Sequence, residues 1–248
     1  MQPDTGTTKL SIIIPTLNEE KLISNILNIF NKEFKEKFRA ELIISDGGSS
    51  DETLNLITDN VDKVIRHDGE FKQNISRGRN HGAKSSKGDV LVFLNADTFI
   101  YNPDELFEEA LELLNHPDNV AIAFPIRVFK DEEKLFDKIF HGFYNLYVKM
   151  LNNVGIGMGR GECHMVKRDY FEILNGYNEN LYAGEDYDLY KRLRKKGKIV
   201  FANKLVVYES PRRYRLFGYP KVIYNWLINS VFVTLFKKSV SKDWEPVR

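Results

Sequence analysis

Apolar runs and polar punctuation alternate regularly along this chain. Residues 9–15 hold four apolar positions closed by Pro15, the pattern of a fully buried strand that ends in a polar loop. From 19 to 34 the apolar residues fall at helical spacing, with Leu22, Ile26, Ile29 and Phe30 on one face. A second strand is predicted at 41–45. Ser50, Asp51, Glu52 and Thr53 are capping-type residues that open another helix. A short strand at 63–67 leads to a helix at 73–85 whose Arg77, Arg79 and Lys84 form an exposed basic edge. Gly88 stops it before a strand at 90–94. This β-α-β-α order argues for a mostly parallel sheet flanked by helices.

The second half continues the pattern with more aromatic residues. A helix at 103–114 carries Asp104 and Glu105 in its first turn, and a strand follows at 120–124. The segment 134–151 reads as a helix rich in aromatics: Phe136, Phe140, Phe143, Tyr144 and Tyr147. Gly155, Gly157, Gly159 and Gly161 make a loop before a strand at 162–167 and a short helix at 168–174. A helix from Tyr187 stops at Gly197, with Lys195 and Lys196 in its last turn where cations suit the helix dipole. Leu189 and Leu193, four apart on it, face a core. Strands at 198–202 and 206–209 close the domain. A boundary near Ser210 and Pro211 separates an α/β domain at 1–210 from an amphipathic extension at 211–248.

Composition narrows the class. With 248 residues the chain can bury a full core. A net charge of +1 gives no global reason to expect nucleic acid. Cys163 is the single cysteine, so no intramolecular disulfide forms. Residues 1–8 are polar and lack the apolar stretch of a signal peptide, which reads as a cytoplasmic protein. No run approaches the roughly 18 consecutive apolar residues of a spanning helix. The segment 216–236, with Tyr219, Tyr224, Trp226 and Phe232 near Arg212, Arg213, Arg215 and Lys237, has the make-up of an element lying on a membrane surface. A core-packing helix or a homodimer contact fits the same pattern.

Polar constellations after apolar strands, at 15–20, 46–51, 95–97 and 184–188, suggest one site at the ends of a parallel sheet, and two basic clusters join them. Asn95-Ala96-Asp97 places two oxygen ligands on one side of a strand end, an arrangement that suits Mg²⁺ or Mn²⁺ beside a diphosphate and equally an ordinary turn. Asp46-Gly47-Gly48-Ser49-Ser50-Asp51 sits at a strand-to-helix junction, where glycines admit a ligand and a carboxylate can accept from a base N–H or a ribose hydroxyl. It is neither a P-loop nor G-x-G-x-x-G. Arg79-Asn80 with Gly82 can screen a diphosphate. Glu185-Asp186-Tyr187-Asp188 packs three carboxylates at a helix start, where N–H groups favour anions. Arg212-Arg213-Tyr214-Arg215 can meet phosphate or anionic lipid.

In this order the motifs resemble those of the family 2 glycosyltransferases, inverting enzymes on a GT-A scaffold. The family's P-x-x-N-E matches Pro15-Thr16-Leu17-Asn18-Glu19, and its D-[DG]-G-S-x-D loop is similar to Asp46–Asp51. R-N-x-G matches Arg79-Asn80-His81-Gly82, and the D-x-D-like triplet corresponds to Asn95-Ala96-Asp97. G-G-[FY]-[DN]-E followed by E-D-x-[DE]-L-x-x-R corresponds to Asn175-Gly176-Tyr177-Asn178-Glu179 and the run from Glu185 to Arg192. The likeness runs from about 9 to 209. It implies a GT-A, Rossmann-like fold, a nucleotide-diphosphate sugar donor and a divalent metal, Mg²⁺ or Mn²⁺.

By the resemblance, Asp97 holds metal and diphosphate. Pro15, Thr16, Asn18, Glu19, Asp46, Gly48, Arg79, Asn95 and Ala96 hold the rest of the donor, with UDP favoured over GDP. Asp186 is the base with Glu185 beside it, and Gly161, Glu162, Arg212 and Arg213 lie on the acceptor side. The acceptor is a hydroxyl or a lipid phosphate, on a lipid carrier or a glycan, reached from the cytoplasmic face of a membrane. The triplet begins with Asn95 where the family's begins with Asp, Gly47 replaces a frequent second Asp, and no late His follows. Glu209 stands in that stretch as the substitute metal ligand. A nucleotidyltransferase making a nucleotide sugar and a non-catalytic nucleotide-sugar-binding protein are the alternatives. The acidic loop after the first strand speaks against the former.

Overall fold

Alternation within the strands decides the architecture. In the computed structural model, which describes residues 9–67, 69 and 73–241, Ile12 and Ile14 face one apolar layer and Ile13 faces another, and all three are fully buried. A strand covered on both faces needs apolar residues at every position, which is why these segments read as continuous runs. The polar stretch 1–8 and the end of the extension beyond Ser241 lie outside the described residues.

In chain order the elements are β1 (Leu10–Thr16), α1 (Ile23–Leu27), α2 (Lys32–Phe38), β2 (Ala40–Asp46), β3 (Lys63–Arg66), α3 (Ile75–Lys84), β4 (Val90–Leu94), β5 (Thr98–Phe99), α4 (Pro103–Asn115) and β6 (Asn119–Ala123). They continue as β7 (Ile126–Val128), α5 (Leu135–Asn153), β8 (Cys163–Lys167), α6 (Arg168–Ile173), α7 (Glu185–Arg194), β9 (Lys198–Phe201), β10 (Val207–Glu209), α8 (Arg212–Phe217) and α9 (Tyr219–Phe236). Seven strands form one sheet in the order β3-β2-β1-β4-β8-β6-β9, and β5-β10-β7 form a small second sheet.

The main sheet is mostly parallel, as the alternation predicts, with β8 alone reversed between β4 and β6. That reversal matters for the site. It brings the residues before β8 to the same sheet edge as the residues after β1, β2 and β4, because Leu94 pairs with Cys163. One face of the sheet carries an aromatic layer in which Phe34 packs 5.2 Å from Phe30 and 5.1 Å from Phe107, centroid to centroid. The other face packs Leu91 and Phe93 against α7, whose Leu189 and Leu193 are fully buried as their spacing predicts.

Three local expectations are corrected. The helix expected over 19–34 is broken into α1 and α2, because Asn31 caps a new helix by accepting from the Phe34 N–H at 2.9 Å. The helix expected from Ser50 is a short 3₁₀ turn, Glu52–Leu56, capped by Asp51. The basic edge of α3 is not uniformly exposed: Lys84 is solvated, Arg77 half-buried and Arg79 fully buried. Among the described residues, no helix is long and apolar enough to cross a membrane.

Candidate active site

The loops at the C-terminal ends of β1, β2 and β4 meet the start of β8, the start of α7 and helices α5, α8 and α9 around a cleft of about 390 Å³. Open parallel sheets collect ligand sites at this edge. Two of the loops are knitted to each other before they meet any ligand. The Asn18 N–H donates to Ser49 Oγ at 2.8 Å, and the Ser50 N–H donates to Asn18 Oδ1 at 2.7 Å. The Glu19 N–H donates to Thr53 Oγ1 at 2.6 Å.

Asp46 is the hub of this weave, and it is 2 % exposed. Its Oδ2 accepts the N–H groups of Gly48 and Ser49, each at 2.9 Å, and its Oδ1 accepts the hydroxyls of Ser49 at 2.5 Å and Thr16 at 3.1 Å. The Asp46 carboxylate thus shapes its own loop, and Pro15, Thr16, Leu17 and Gly47 line the cleft beside it. A Cβ on Gly47 would stand 3.3 Å from both Gln73 Cγ and the Thr16 carbonyl oxygen, so the slot there is narrow.

Arg79 lines the cleft but is not on an exposed edge. It is 0 % exposed, and its guanidinium is divided among three segments. Nη1 donates to Glu185 Oε1 at 2.9 Å, while Nη2 donates to Asn95 Oδ1 at 2.9 Å and to the Gly161 carbonyl at 2.6 Å. It ties the start of α7, the end of β4 and the loop before β8 into one unit. Asn80, next in the chain, clamps Tyr177 through its N–H and its carbonyl, at 2.9 and 3.0 Å. Glu185, expected beside Asp186 in catalysis, lines the cleft while its carboxylate is buried against Arg79.

Asp186 faces the cleft as well. Gly184 starts α7 with φ of 77°, a left-handed turn that a glycine adopts without strain, and so sets the approach to Asp186. Asp186 is half-buried, and its Oδ1 accepts the Tyr187 N–H at 2.7 Å. Among the described residues it has no ion-pair partner. Burial, and after it the neighbouring Glu185 carboxylate, push its pKa up to about 7. A Cβ on Gly161 would stand 3.5 Å from Asp186 Oδ2, so the glycine keeps that side of the carboxylate open.

Arg212, expected on the acceptor side, lies against Glu19 and Asp97. Its Nη2 donates to both Glu19 carboxylate oxygens at 2.9 Å and to Asp97 Oδ2 at 3.0 Å. It arrives there because β10 pairs with β5 and the Ser210 N–H donates to the Asp97 carbonyl at 3.0 Å. Arg213 also lines the cleft. Glu162 and Glu209 share Arg160, whose Nη2 donates to each at 2.8 Å, and the Tyr214 hydroxyl donates to Glu209 at 2.7 Å. Burial, and after it the adjacent Glu162, raise the Glu209 pKa well above the ordinary carboxylate value. Glu209 is thus engaged by Arg160 and Tyr214 rather than free as a metal ligand.

The fit for a divalent cation rests on what remains. Asn95 is turned to Arg79, and no group of three or more His, Cys, Asp or Glu side chains converges among the described residues. Asp97 and Glu19 do converge on one cationic group, the Arg212 guanidinium. One or two carboxylates completed by phosphate oxygens and water is the coordination that Mg²⁺ and Mn²⁺ accept, so Asp97 fits such an ion only with a diphosphate present.

The cleft also holds residues that the sequence reading passed over: Arg160, with Tyr144 4.9 Å beneath its guanidinium, Met158, Asn229 and Ser230. The glycine loop was their signal. A Cβ on Gly159 would stand 2.5 Å from the Tyr190 ring, so the glycines pack this loop onto α7 and aim Arg160 into the cleft.

Glycosyl transferase family 2 matches residues 11–174, and the chain belongs to that family. A poly(ribitol-phosphate) beta-N-acetylglucosaminyltransferase, TarS, of Staphylococcus aureus is 28 % identical over 117 residues, 46 % of this chain and 20 % of its own. A GalNAc(5)-diNAcBac-PP-undecaprenol beta-1,3-glucosyltransferase of Campylobacter jejuni is 32 % identical over 120 residues, 46 % of this chain and 36 % of its own. The chain therefore spans a minor part of the length of these relatives. Among solved structures, a mannosyltransferase, PcManGT, from Pyrobaculum calidifontis in complex with GDP-Man and Mn²⁺ superposes with a TM-score of 0.72 at 16 % identity. The match covers 96 % of this chain and 66 % of that one. The fold is that of the GT-A glycosyltransferases, as the motifs imply, and the nucleotidyltransferase alternative is not favoured.

Proposed function

We propose that this chain transfers a sugar from a nucleotide-diphosphate sugar to an acceptor hydroxyl with inversion at the anomeric carbon. One observation carries the reading. Asp186, without an ion-pair partner among the described residues and with its pKa raised to about 7, faces the same cleft as Asp97, which follows the buried strand β4. Asp186 accepts the proton of the acceptor hydroxyl as its oxygen bonds to the anomeric carbon and the bond to the diphosphate breaks. Arg212 balances the negative charge of Glu19 and Asp97 beside the diphosphate, and Arg79 holds the Asp186 helix against the β4 end. Asp97 would hold a divalent ion, Mg²⁺ or Mn²⁺, which when bound neutralises charge on the leaving diphosphate.

Uridine is the favoured base, with guanosine second. TarS is described with UDP-GlcNAc and PcManGT with GDP-Man. The test is release of nucleoside diphosphate from a panel of donors. Uridine donors should turn over fastest, and equal use of adenosine diphosphate sugars would remove the base assignment. Formation of a nucleotide sugar from sugar phosphate and nucleoside triphosphate would replace transfer with nucleotidyl transfer.

Asp97→Ala should weaken donor binding in Mn²⁺ by about tenfold or more, while binding in chelator stays as it was. The fold should survive, since the Asp97 side chain is only partly buried and meets Arg212 alone. Titration calorimetry checks both arms. Undiminished affinity with metal present would take the ion away from Asp97.

The acceptor is proposed to be a lipid carrier or a glycan. α8 and α9, from the 211–248 extension, supply cleft walls through Tyr214, Trp226 and Ser230, which supports a part for this extension in acceptor access.

A further inference from the structure

The largest feature not used by the proposed chemistry is an apolar surface on the two long helices beside the cleft. On α5, Leu135, Ile139, Phe143, Leu146 and Met150 recur at helical spacing on its outer side, with Leu135 74 % and Phe143 77 % exposed. On α9, Tyr224, Leu227, Val231 and Leu235 form a second outward stripe, opposite the buried Val222, Asn229 and Val233. The two helices are joined by rings rather than separated by solvent: Trp226 lies 5.4 Å from Tyr144 and 6.3 Å from Phe140, and Phe136 lies 5.0 Å from Tyr219. The stripes therefore flank one seam. A contiguous exposed apolar patch of this kind marks an interaction surface.

Charge identifies what covers it. The only acid on α5, Asp137, is buried against Arg215 and Tyr219, and α9 contains no acid at all. Lys138, Lys149, Lys221, Lys237 and Lys238 lie on or at the ends of the two helices; Asp131, Glu132 and Glu133 precede α5, with Glu133 3.9 Å from Lys138, and Asp188 lies 3.9 Å from Lys237. A second copy of the same face would set lysines against lysines. Neither helix is built to cross a bilayer, and an apolar face edged by cations is what lies in a headgroup layer. We infer that the outer faces of α5 and α9 together dock this chain on an anionic phospholipid surface. The sequence suggested such a role for 216–236 only; α5 supplies half of the surface. Tyr144 and Trp226, on the inner sides of the same helices, line the cleft, so docking sets its mouth at the bilayer. That consequence for the acceptor rests on the proposed transfer reaction, whereas the docking itself does not.

Flotation with phosphatidylcholine vesicles, with and without phosphatidylglycerol, tests it in the absence of donor. The full chain should float with the phosphatidylglycerol vesicles and be released by salt. The double variants Ile139→Glu/Phe143→Glu and Leu227→Glu/Val231→Glu should each lose about tenfold or more of that binding. Their urea unfolding and nucleotide binding should stay unchanged, because none of the four lines the cleft. A wild-type chain that ignores anionic vesicles overturns the inference. So does an Ile139→Glu/Phe143→Glu variant that floats like wild type, or a wild-type dimer in sedimentation that this variant dissociates. Loss of donor turnover with vesicle binding intact would instead count against the transfer reaction alone.

Discussion

Asp186→Asn is expected to lower turnover by about two to four orders of magnitude while donor affinity stays nearly unchanged. The substitution keeps shape and an oxygen able to accept the Tyr187 N–H, so the start of α7 should hold. What it removes is basicity. In the wild type, burial and Glu185 push the Asp186 pKa up to about 7, and the group works only when ionised. Activity should therefore rise with pH through about 7. Below that it should fall by about tenfold per unit as the carboxylate takes up a proton. The variant's remaining activity should lack this acid limb. Neighbouring acids are not ready to replace it. Asp188 is held by Arg192 at 2.7 Å, and Glu209 is held by Arg160 and Tyr214. Near-normal transfer to a hydroxyl acceptor by Asp186→Asn, with the acid limb in place, would remove Asp186 as the base. Normal transfer confined to phosphate acceptors would leave it an orienting role.

The same helix marks how far the sequence could be read. Leu189 and Leu193 announce the buried face of α7 because helical spacing is a local property, and β1, β2 and β4 are legible because both their faces are covered. The sheet edge that gathers the polar loops follows from that order. The partners within the site do not follow. Arg79 and Glu185 are 106 positions apart, and Arg212 and Glu19 are 193 apart. No periodicity connects such pairs. A polar helix residue such as Arg79 reads as solvated until the strand and the loop that cover it are in place. The reversal of β8, which delivers Arg160 and Glu162 to the cleft, depends on α5 crossing over the sheet edge. The two-residue β5 and three-residue β7, which carry β10 and hence Arg212 to Asp97, are too short to leave an alternation. Asp46 is the instructive intermediate case. Its place at a strand end beside glycines was visible, but its engagement by Thr16, Gly48 and Ser49 was not, because one of those donors comes from the end of β1, 30 residues away.

Arg79→Met is expected to destabilise the fold by about 3–5 kcal/mol, the usual cost of removing one partner from a buried ion pair. The guanidinium is fully buried and serves three acceptors, Glu185 Oε1, Asn95 Oδ1 and the Gly161 carbonyl. Methionine fills much of the volume but leaves all three without their donor, and it leaves the buried Glu185 charge beside Asp186 with nothing to oppose it. Arg79→Lys should recover little, since one ammonium cannot span the fork that the planar guanidinium fills. In Arg79→Met/Glu185→Leu the stranded charge is gone, so part of the loss should return, and the cycle of single and double variants in urea gives the coupling directly. The thermal midpoint of Arg79→Met should fall by roughly 10 °C. A solvated helix-face arginine would behave differently, with a change within about 0.5 kcal/mol on substitution. If Arg79→Met unfolds at the wild-type urea concentration, Arg79 is not the tie between the base helix and the end of β4, and α7 is held in place by its leucines alone.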